Sequence, residues 1–323
     1  MFAVAASLSR RAFVAAAVAF VSLVSLPAFA APVEPLVTPQ WLNENRSNPD
    51  LVVLDIRSAI DGGGAEAYLK AHIPGAVHSD YDKGGWRVTR NGVPFMLPTV
   101  AQLEKLIGET GIDEDSHVVI VPAGVSATDF GSAARVYWTL KAAGHPAVSI
   151  LDGGLAAWQA ASLPVESGQN PPSPKIFTAK SDDSLLAEIE AVERNVNATL
   201  LDARPASFFD GRQKAPASKA YGHIPGAINL DSATFYDPAT NKLRSKAELA
   251  AIAAKLPEGP VVSYCNTGHW AATNWFVLSV MLGRPDVRLY DGSMVEWTAD
   301  ARRPVASSRT RWDDVKKALG FGS

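Results

Sequence analysis

Leu51-Val52-Val53-Leu54-Asp55-Ile56-Arg57 recurs downstream as Thr199-Leu200-Leu201-Asp202-Ala203-Arg204. Each is a short apolar run that closes on an aspartate and, two residues later, an arginine. Three more pairs follow in the same order. Ala71-His72-Ile73-Pro74-Gly75-Ala76 matches Gly222-His223-Ile224-Pro225-Gly226-Ala227. The β-type run Val118 to Pro122 matches Val261 to Cys265. Leu151-Asp152-Gly153-Gly154 with Trp158 matches Tyr290-Asp291-Gly292-Ser293 with Trp297. Four matches in one order indicate that a domain has been duplicated.

Within each copy, short apolar runs alternate with helix-length amphipathic segments. In the second copy Ala247 to Leu256 reads as a helix, Val261 to Tyr264 as a strand and Ala271 to Leu282 as a helix. This alternation predicts an α/β fold of two domains, each a mainly parallel sheet with helices on both faces. The boundaries fall at 37–166 and 175–308, joined by the Pro-rich linker 167–174, with a C-terminal tail at 309–323. Proline density in Gln169-Asn170-Pro171-Pro172-Ser173-Pro174 opposes regular structure there.

Residues 1–30 are of another kind. Arg10 and Arg11 precede an uncharged stretch from Ala12 to Leu26, and Ala28-Phe29-Ala30 offers a small-x-small cleavage signal. This predicts a signal peptide removed before Ala31, with a periplasmic product. The paired arginines also resemble a twin-arginine export signal. Without these residues the formal charge moves from −3 to −5, because they hold two arginines and no acid. That charge gives no basic footprint for nucleic acid. Beyond the N-terminus no apolar run is long enough to span a bilayer. Cys265 is the chain's single cysteine, so an internal disulfide is impossible and a free thiol in an oxidising compartment calls for a chemical reason.

These repeated elements resemble the rhodanese family: the strand-end aspartate, the Gly-His-Ile-Pro-Gly-Ala element and the Asp-Gly-Ser/Gly element followed by Trp. The tandem arrangement is similar to the two-domain thiosulfate and 3-mercaptopyruvate sulfurtransferases, in which only the C-terminal copy is catalytic. The resemblance covers nearly the whole chain after residue 30 and implies an enzyme without a cofactor. Its substrates would be a small-molecule sulfur donor and a thiol or cyanide acceptor, with a sulfur-accepting protein as a further partner.

The residues themselves point the same way. Cys265 ends a β-run, and Asn266-Thr267-Gly268-His269-Trp270 leads into a helix. A loop between a strand's carboxyl end and a helix N-terminus aims backbone N–H groups at whatever sits on the sulfur. The helix dipole favours the thiolate. Cys265 is therefore expected at the loop tip as the nucleophile, passing through a persulfide held by residues 266–270. Gly268 would allow the bend. In the first copy Pro122 lines up with Cys265 and supplies neither thiol nor N–H, so that copy serves as a scaffold closing over the second.

Family analogy places Arg204 near the loop, where it could hold an anionic donor, with Arg212 as a second candidate. In the mercaptopyruvate-type branch a first-domain histidine and acid work with a loop hydroxyl; here those positions would be His72, Asp61 and Thr267. No metal site is expected, because the histidines show no ligand spacing with the one cysteine. Thiosulfate-type loops commonly read Cys-Arg-Lys-Gly-Val-Thr and mercaptopyruvate-type loops Cys-Gly-Ser-Gly-Val-Thr, and Cys265 to Trp270 follows neither. His269 is the loop's one potential cation. Thiosulfate is the expected donor, with 3-mercaptopyruvate transfer or a non-catalytic persulfide carrier as alternatives. A phosphatase would need arginine six residues after the cysteine, and Ala271 stands there.

Overall fold

The computed structural model describes Phe2, residues 33–194 and residues 197–308. The segment expected to be a signal peptide, Phe2 apart, and the tail at 309–323 lie outside the described residues.

The first domain is built from β1 (Leu36–Val37), α1 (Pro39–Asn45), β2 (Leu51–Asp55), α2 (Ala65–Lys70), β3 (Val77–His78), β4 (Val88–Arg90), β5 (Val93–Met96), α3 (Val100–Glu109), β6 (His117–Val121), α4 (Ala127–Ala142), β7 (Val148–Leu151) and α5 (Gly154–Ala160). The second follows with α6 (Ile189–Glu193), β8 (Thr199–Asp202), α7 (Ala206–Phe209), β9 (Ile228–Asn229), β10 (Tyr236–Asp237), β11 (Lys242–Leu243), α8 (Lys246–Ala253), β12 (Val261–Tyr264), α9 (His269–Trp275), β13 (Val287–Leu289) and α10 (Ser293–Trp297). The first sheet has the order β1-β7-β6-β2-β3 and the second β13-β12-β8-β9, with every pairing parallel. The hairpins β4–β5 and β10–β11 are antiparallel additions. Consecutive residues of β12 are all buried, so both faces of that strand are covered, as a parallel sheet requires.

One face of each sheet is private and the other is shared. Val53, Val119 and Val121 pack with Tyr68 and Trp158 on the first domain's own side. Leu54, Val118 and Ile120 instead join a core that also contains Leu201, Val261 and Phe276 of the second domain. α4 lies in that shared core and is buried almost all round. Phe130 and Tyr137 on α4 meet Phe276 edge-on, at centroid separations of 5.8 and 4.9 Å.

The repeat extends to individual hydrogen bonds. The Trp158 and Trp297 indoles donate to the carbonyls of Pro164 and Pro304. Nδ1 of His72 and of His223 lies 2.8 Å from the carbonyls of Tyr68 and Phe209. Two expectations shift. The helix predicted at Ala271–Leu282 begins at His269 and widens to a π-type turn over Phe276–Met281, where Phe276 docks on α4. Residues 175–182 run against the first domain, Lys175 N–H reaching Gly108 and Lys180 N–H reaching Ala143.

Candidate active site

Cys265 follows β12 at its carboxyl end, and the chain turns at Gly268, φ +71°, into α9. A Cβ at Gly268 would overlap the Arg135 guanidinium and the Asp291 backbone, so only glycine fits the turn. The alignment of the two copies holds here. Met294 N–H donates to the Cys265 carbonyl and Val295 N–H to Asn266, as Leu155 N–H and Ala156 N–H do to Pro122 and Ala123. Proline therefore occupies the cysteine's place in the first copy.

That first copy shows what such a loop holds. Asp129 folds back into it, Oδ1 accepting from Ala123 N–H at 3.0 Å and Oδ2 from Gly124 and Val125 N–H at 2.5 and 3.1 Å. The loop is thus an N–H cradle closed on a carboxyl group, which burial pushes up to about 6. α9 carries Ala271 and Ala272 where α4 carries Asp129, so no side chain fills the second cradle. Among the described residues, the N–H groups of Asn266, Thr267, His269 and Trp270 find no acceptor.

The N–H groups of Cys265 and Gly268 are taken from within: both donate to Ser293 Oγ at 3.0 Å, and that hydroxyl donates to the Tyr290 carbonyl. Gly268 N–H is therefore a clamp of the loop and not an open donor, which corrects part of the expected cradle. Ser293 sits at φ +50°, where its counterpart Gly154 sits at +59°. A serine there costs roughly 1–2 kcal/mol, which the two loop contacts offset. Sequence reasoning passed over Ser293, although it marks the difference between Asp-Gly-Ser and Asp-Gly-Gly.

Cys265 itself is enclosed. Its exposure is 1 %, and it belongs to the shared core, so the expectation of a thiol at an open loop tip is corrected. The half-buried groups of the loop are Thr267 and Trp270. Two clefts of about 260 and 480 Å³ lie by the amino ends of β8 and β12 and by the end of α8, away from the sulfur.

His269 and Trp270 face the first domain. His269 Nε2 lies 2.8 Å from the Thr128 carbonyl and Nδ1 2.8 Å from Tyr81 Oη. A carbonyl only accepts, so Nε2 carries the proton and Nδ1 accepts from the tyrosine. Burial, with the positive charge of Arg87, lowers this imidazole to about 3, and it is neutral. Trp270 donates to Thr128 Oγ1 at 3.2 Å. Both side chains dock the loop onto the first domain and do not enter the cradle, so the expected cation is absent.

Arg204 is likewise not free. It is 1 % exposed, forks onto Asp202 at 2.6–3.2 Å, and reaches the Gly222 carbonyl and Asn266 Oδ1. Arg57 repeats this with Asp55 and the Ala71 carbonyl in the first copy. The pair is a brace of the fold that steadies Asn266, and the expectation of Arg204 as an anion contact is corrected. Asp202 and Asp55 also accept the N–H of Arg204 and Arg57, as anchoring aspartates should. Arg212 is exposed and paired with Asp210 at 2.9 Å.

The histidine–acid–hydroxyl group is not assembled either. His72 Nε2 contacts Glu166, and the ring stacks on Tyr68. Asp61 closes a capping box on Ser58 and accepts from Gly63 N–H. Neither contacts Thr267, because both serve turns of the first domain. Among the described residues no cluster of metal-ligating side chains occurs, and no helix is long and apolar enough to cross a membrane.

Residues 38–161 and 182–300 each match the rhodanese-like domain. The probable 3-mercaptopyruvate sulfurtransferase of Pseudomonas aeruginosa is 37% identical over 286 residues, 84% of this chain and 98% of the relative. The thiosulfate sulfurtransferase of Bos taurus is 32% identical over 281 residues, 81% and 91% of the two chains. The crystal structure of SseA from Escherichia coli, described for 3-mercaptopyruvate sulfotransferases, superposes with a TM-score of 0.69 at 29% identity, covering 81% of this chain and 99% of that one. With a cysteine-bearing loop in one copy and a carboxyl-filled loop in the other, the chain belongs to the rhodanese-like family as a two-domain sulfurtransferase.

Proposed function

We propose that Cys265 takes sulfur from 3-mercaptopyruvate and passes it, as a persulfide, to a thiol or other thiophilic acceptor. The observation that carries this reading is a cradle of four N–H groups, unfilled among the described residues, into which neither His269, which is neutral, nor Arg204, locked on Asp202, brings a cation. Thiosulfate, the donor expected from the residues, is a dianion that gains most from charge-assisted bonds, and these are about twice as strong as neutral ones. With Arg204 withdrawn, a monoanionic keto acid is the better fit to neutral donors. The relatives named for 3-mercaptopyruvate support the same choice.

The Cys265 thiolate attacks the donor sulfur, and the bond from that sulfur to C3 breaks. The electron pair leaves on carbon as the enolate of pyruvate, which takes up the proton carried by the donor thiol. The Cys265 persulfide anion remains against the loop N–H groups. The acceptor then attacks the outer sulfur and restores the thiolate.

The test is kcat/KM for each donor, measured separately with the full chain. A clear preference for 3-mercaptopyruvate is expected, and a preference for thiosulfate would overturn the donor assignment. The enclosure of Cys265 at 1 % exposure favours a second reading, a persulfide carrier loaded by a protein partner. Slow turnover with every small donor would select it. Residues 1–30 are proposed as a twin-arginine export signal cut before Ala31. Normal export of the Arg10→Lys, Arg11→Lys double variant would remove the twin-arginine part.

A further inference from the structure

α4 carries an arginine where the equivalent helical stretch of the second copy is apolar. Arg135 is fully buried; Val277 and Leu278, at the matching positions after α9, are buried too. The domain fold therefore does not itself require a cation there. Arg135 crosses into the second domain, its guanidinium lying along the Cys265 loop. Nη1 donates to the Thr267 carbonyl at 3.4 Å, and Nη2 to Asp291 Oδ2 at 3.5 Å.

Both contacts are long. Asp291 Oδ2 also accepts Leu97 N–H at 2.5 Å, and Arg135 Nε finds no partner. The face of Trp138 adds a contact at 4.9 Å. A buried guanidinium this loosely paired is under-compensated. Its neighbours do not supply the missing charge. Tyr81 is held neutral by burial, His269 is neutral, Arg87 pairs with Asp82, and Arg204 is cancelled by Asp202. Burial lowers Arg135's hold on its proton; the Asp291 carboxylate opposes this most, and negative charge on Cys265 adds a smaller contribution in the same direction.

We infer that Arg135, lent by the first domain, is the positioning cation of the second domain's loop: it favours the Cys265 thiolate and the persulfide anion that replaces it. The inference rests on Cys265 as the reacting thiol but not on which donor loads it. It also gives the first copy a part in the chemistry that its own proline cannot perform.

Because Cys265 is the single cysteine, alkylation by iodoacetamide reports on it alone. The rate is measured against pH in the full chain for the wild type, Arg135→Gln, Arg135→Lys and Asp291→Asn. Arg135→Gln should shift the profile toward higher pH by about one unit, slowing alkylation at neutral pH roughly tenfold. Arg135→Lys should restore most of the wild-type profile. Asp291→Asn, which removes the competing carboxylate, should shift the profile the other way. A folded Arg135→Gln with the wild-type profile would overturn the inference. If Arg135→Gln fails to fold, Asp291→Asn decides, and a profile that stays in place or moves toward higher pH overturns it. Loss of the 3-mercaptopyruvate preference would leave these profiles unaffected, so the two readings fail separately.

Discussion

Removing the Arg204 guanidinium would leave Asp202 charged and buried with its fork partner gone. Arg204→Ala is therefore expected to cost about 3–5 kcal/mol of stability, visible in denaturant melts, and not to act selectively on donor KM. A stable variant with raised KM alone would restore Arg204 as a donor contact. His269 sets a pH dependence of stability. Its imidazole titrates near 3 in the fold against an ordinary 6.5, so the folded state binds fewer protons between those values. Stability is fully present above 6.5 and falls as pH drops toward 3, by up to about 1.4 kcal/mol per pH unit from this group. Melts of the wild type and His269→Asn between pH 7 and 4 should converge on acidification; parallel curves would contradict the neutral-imidazole assignment. Cys265→Ser, at a core position, should cost about 1–2 kcal/mol for burying a hydroxyl while the fold persists. The place of Cys265 was legible because a strand-to-helix loop leaves a local mark. Arg135 and Tyr81 were not, since each is one residue in an ordinary stretch of the first copy and gains its meaning only when the domains dock.

β12 was readable to the residue, because Val261-Val262-Ser263-Tyr264 is a short buried run between Pro260 and the loop. The helix after it was misplaced by two residues at its start. Gly268 was read as a bend, whereas its left-handed conformation is the cap from which α9 begins. The widened turn at Phe276–Met281 depends on packing against α4 from the other copy, which no local pattern encodes. The loop's inner clamp, carried at the start of α10, gives the prediction at this scale. Ser293→Gly should relieve the strain of φ +50° yet leave the N–H groups of Cys265 and Gly268 without their acceptor. Sulfur loading should fall on the order of tenfold, equivalent to about 1.4 kcal/mol, with little change in melting temperature. Unchanged loading rates would show that the clamp does not matter to the chemistry.

Duplication, the α/β class and the proline that replaces cysteine in the first copy were visible in the chain because they repeat or break a repeat. The extent of the shared core was not, since it joins residues such as Val118 and Phe276 across the whole chain. A common core makes the two domains one cooperative unit. Calorimetry of the full chain should show a single unfolding transition, and two resolved transitions would contradict the shared core. The same docking brings the first domain onto the Cys265 loop, through Thr128, Tyr81 and Arg135, so the transfer proposed for the second copy requires both. The central claim is the persulfide on Cys265, and intact-mass spectrometry tests it most directly. The full chain is mixed with 3-mercaptopyruvate, freed of excess donor and weighed beside Cys265→Ser treated alike. A gain of one sulfur atom in the wild type and none in the variant is predicted. Pyruvate released with no sulfur retained on the wild type would contradict it.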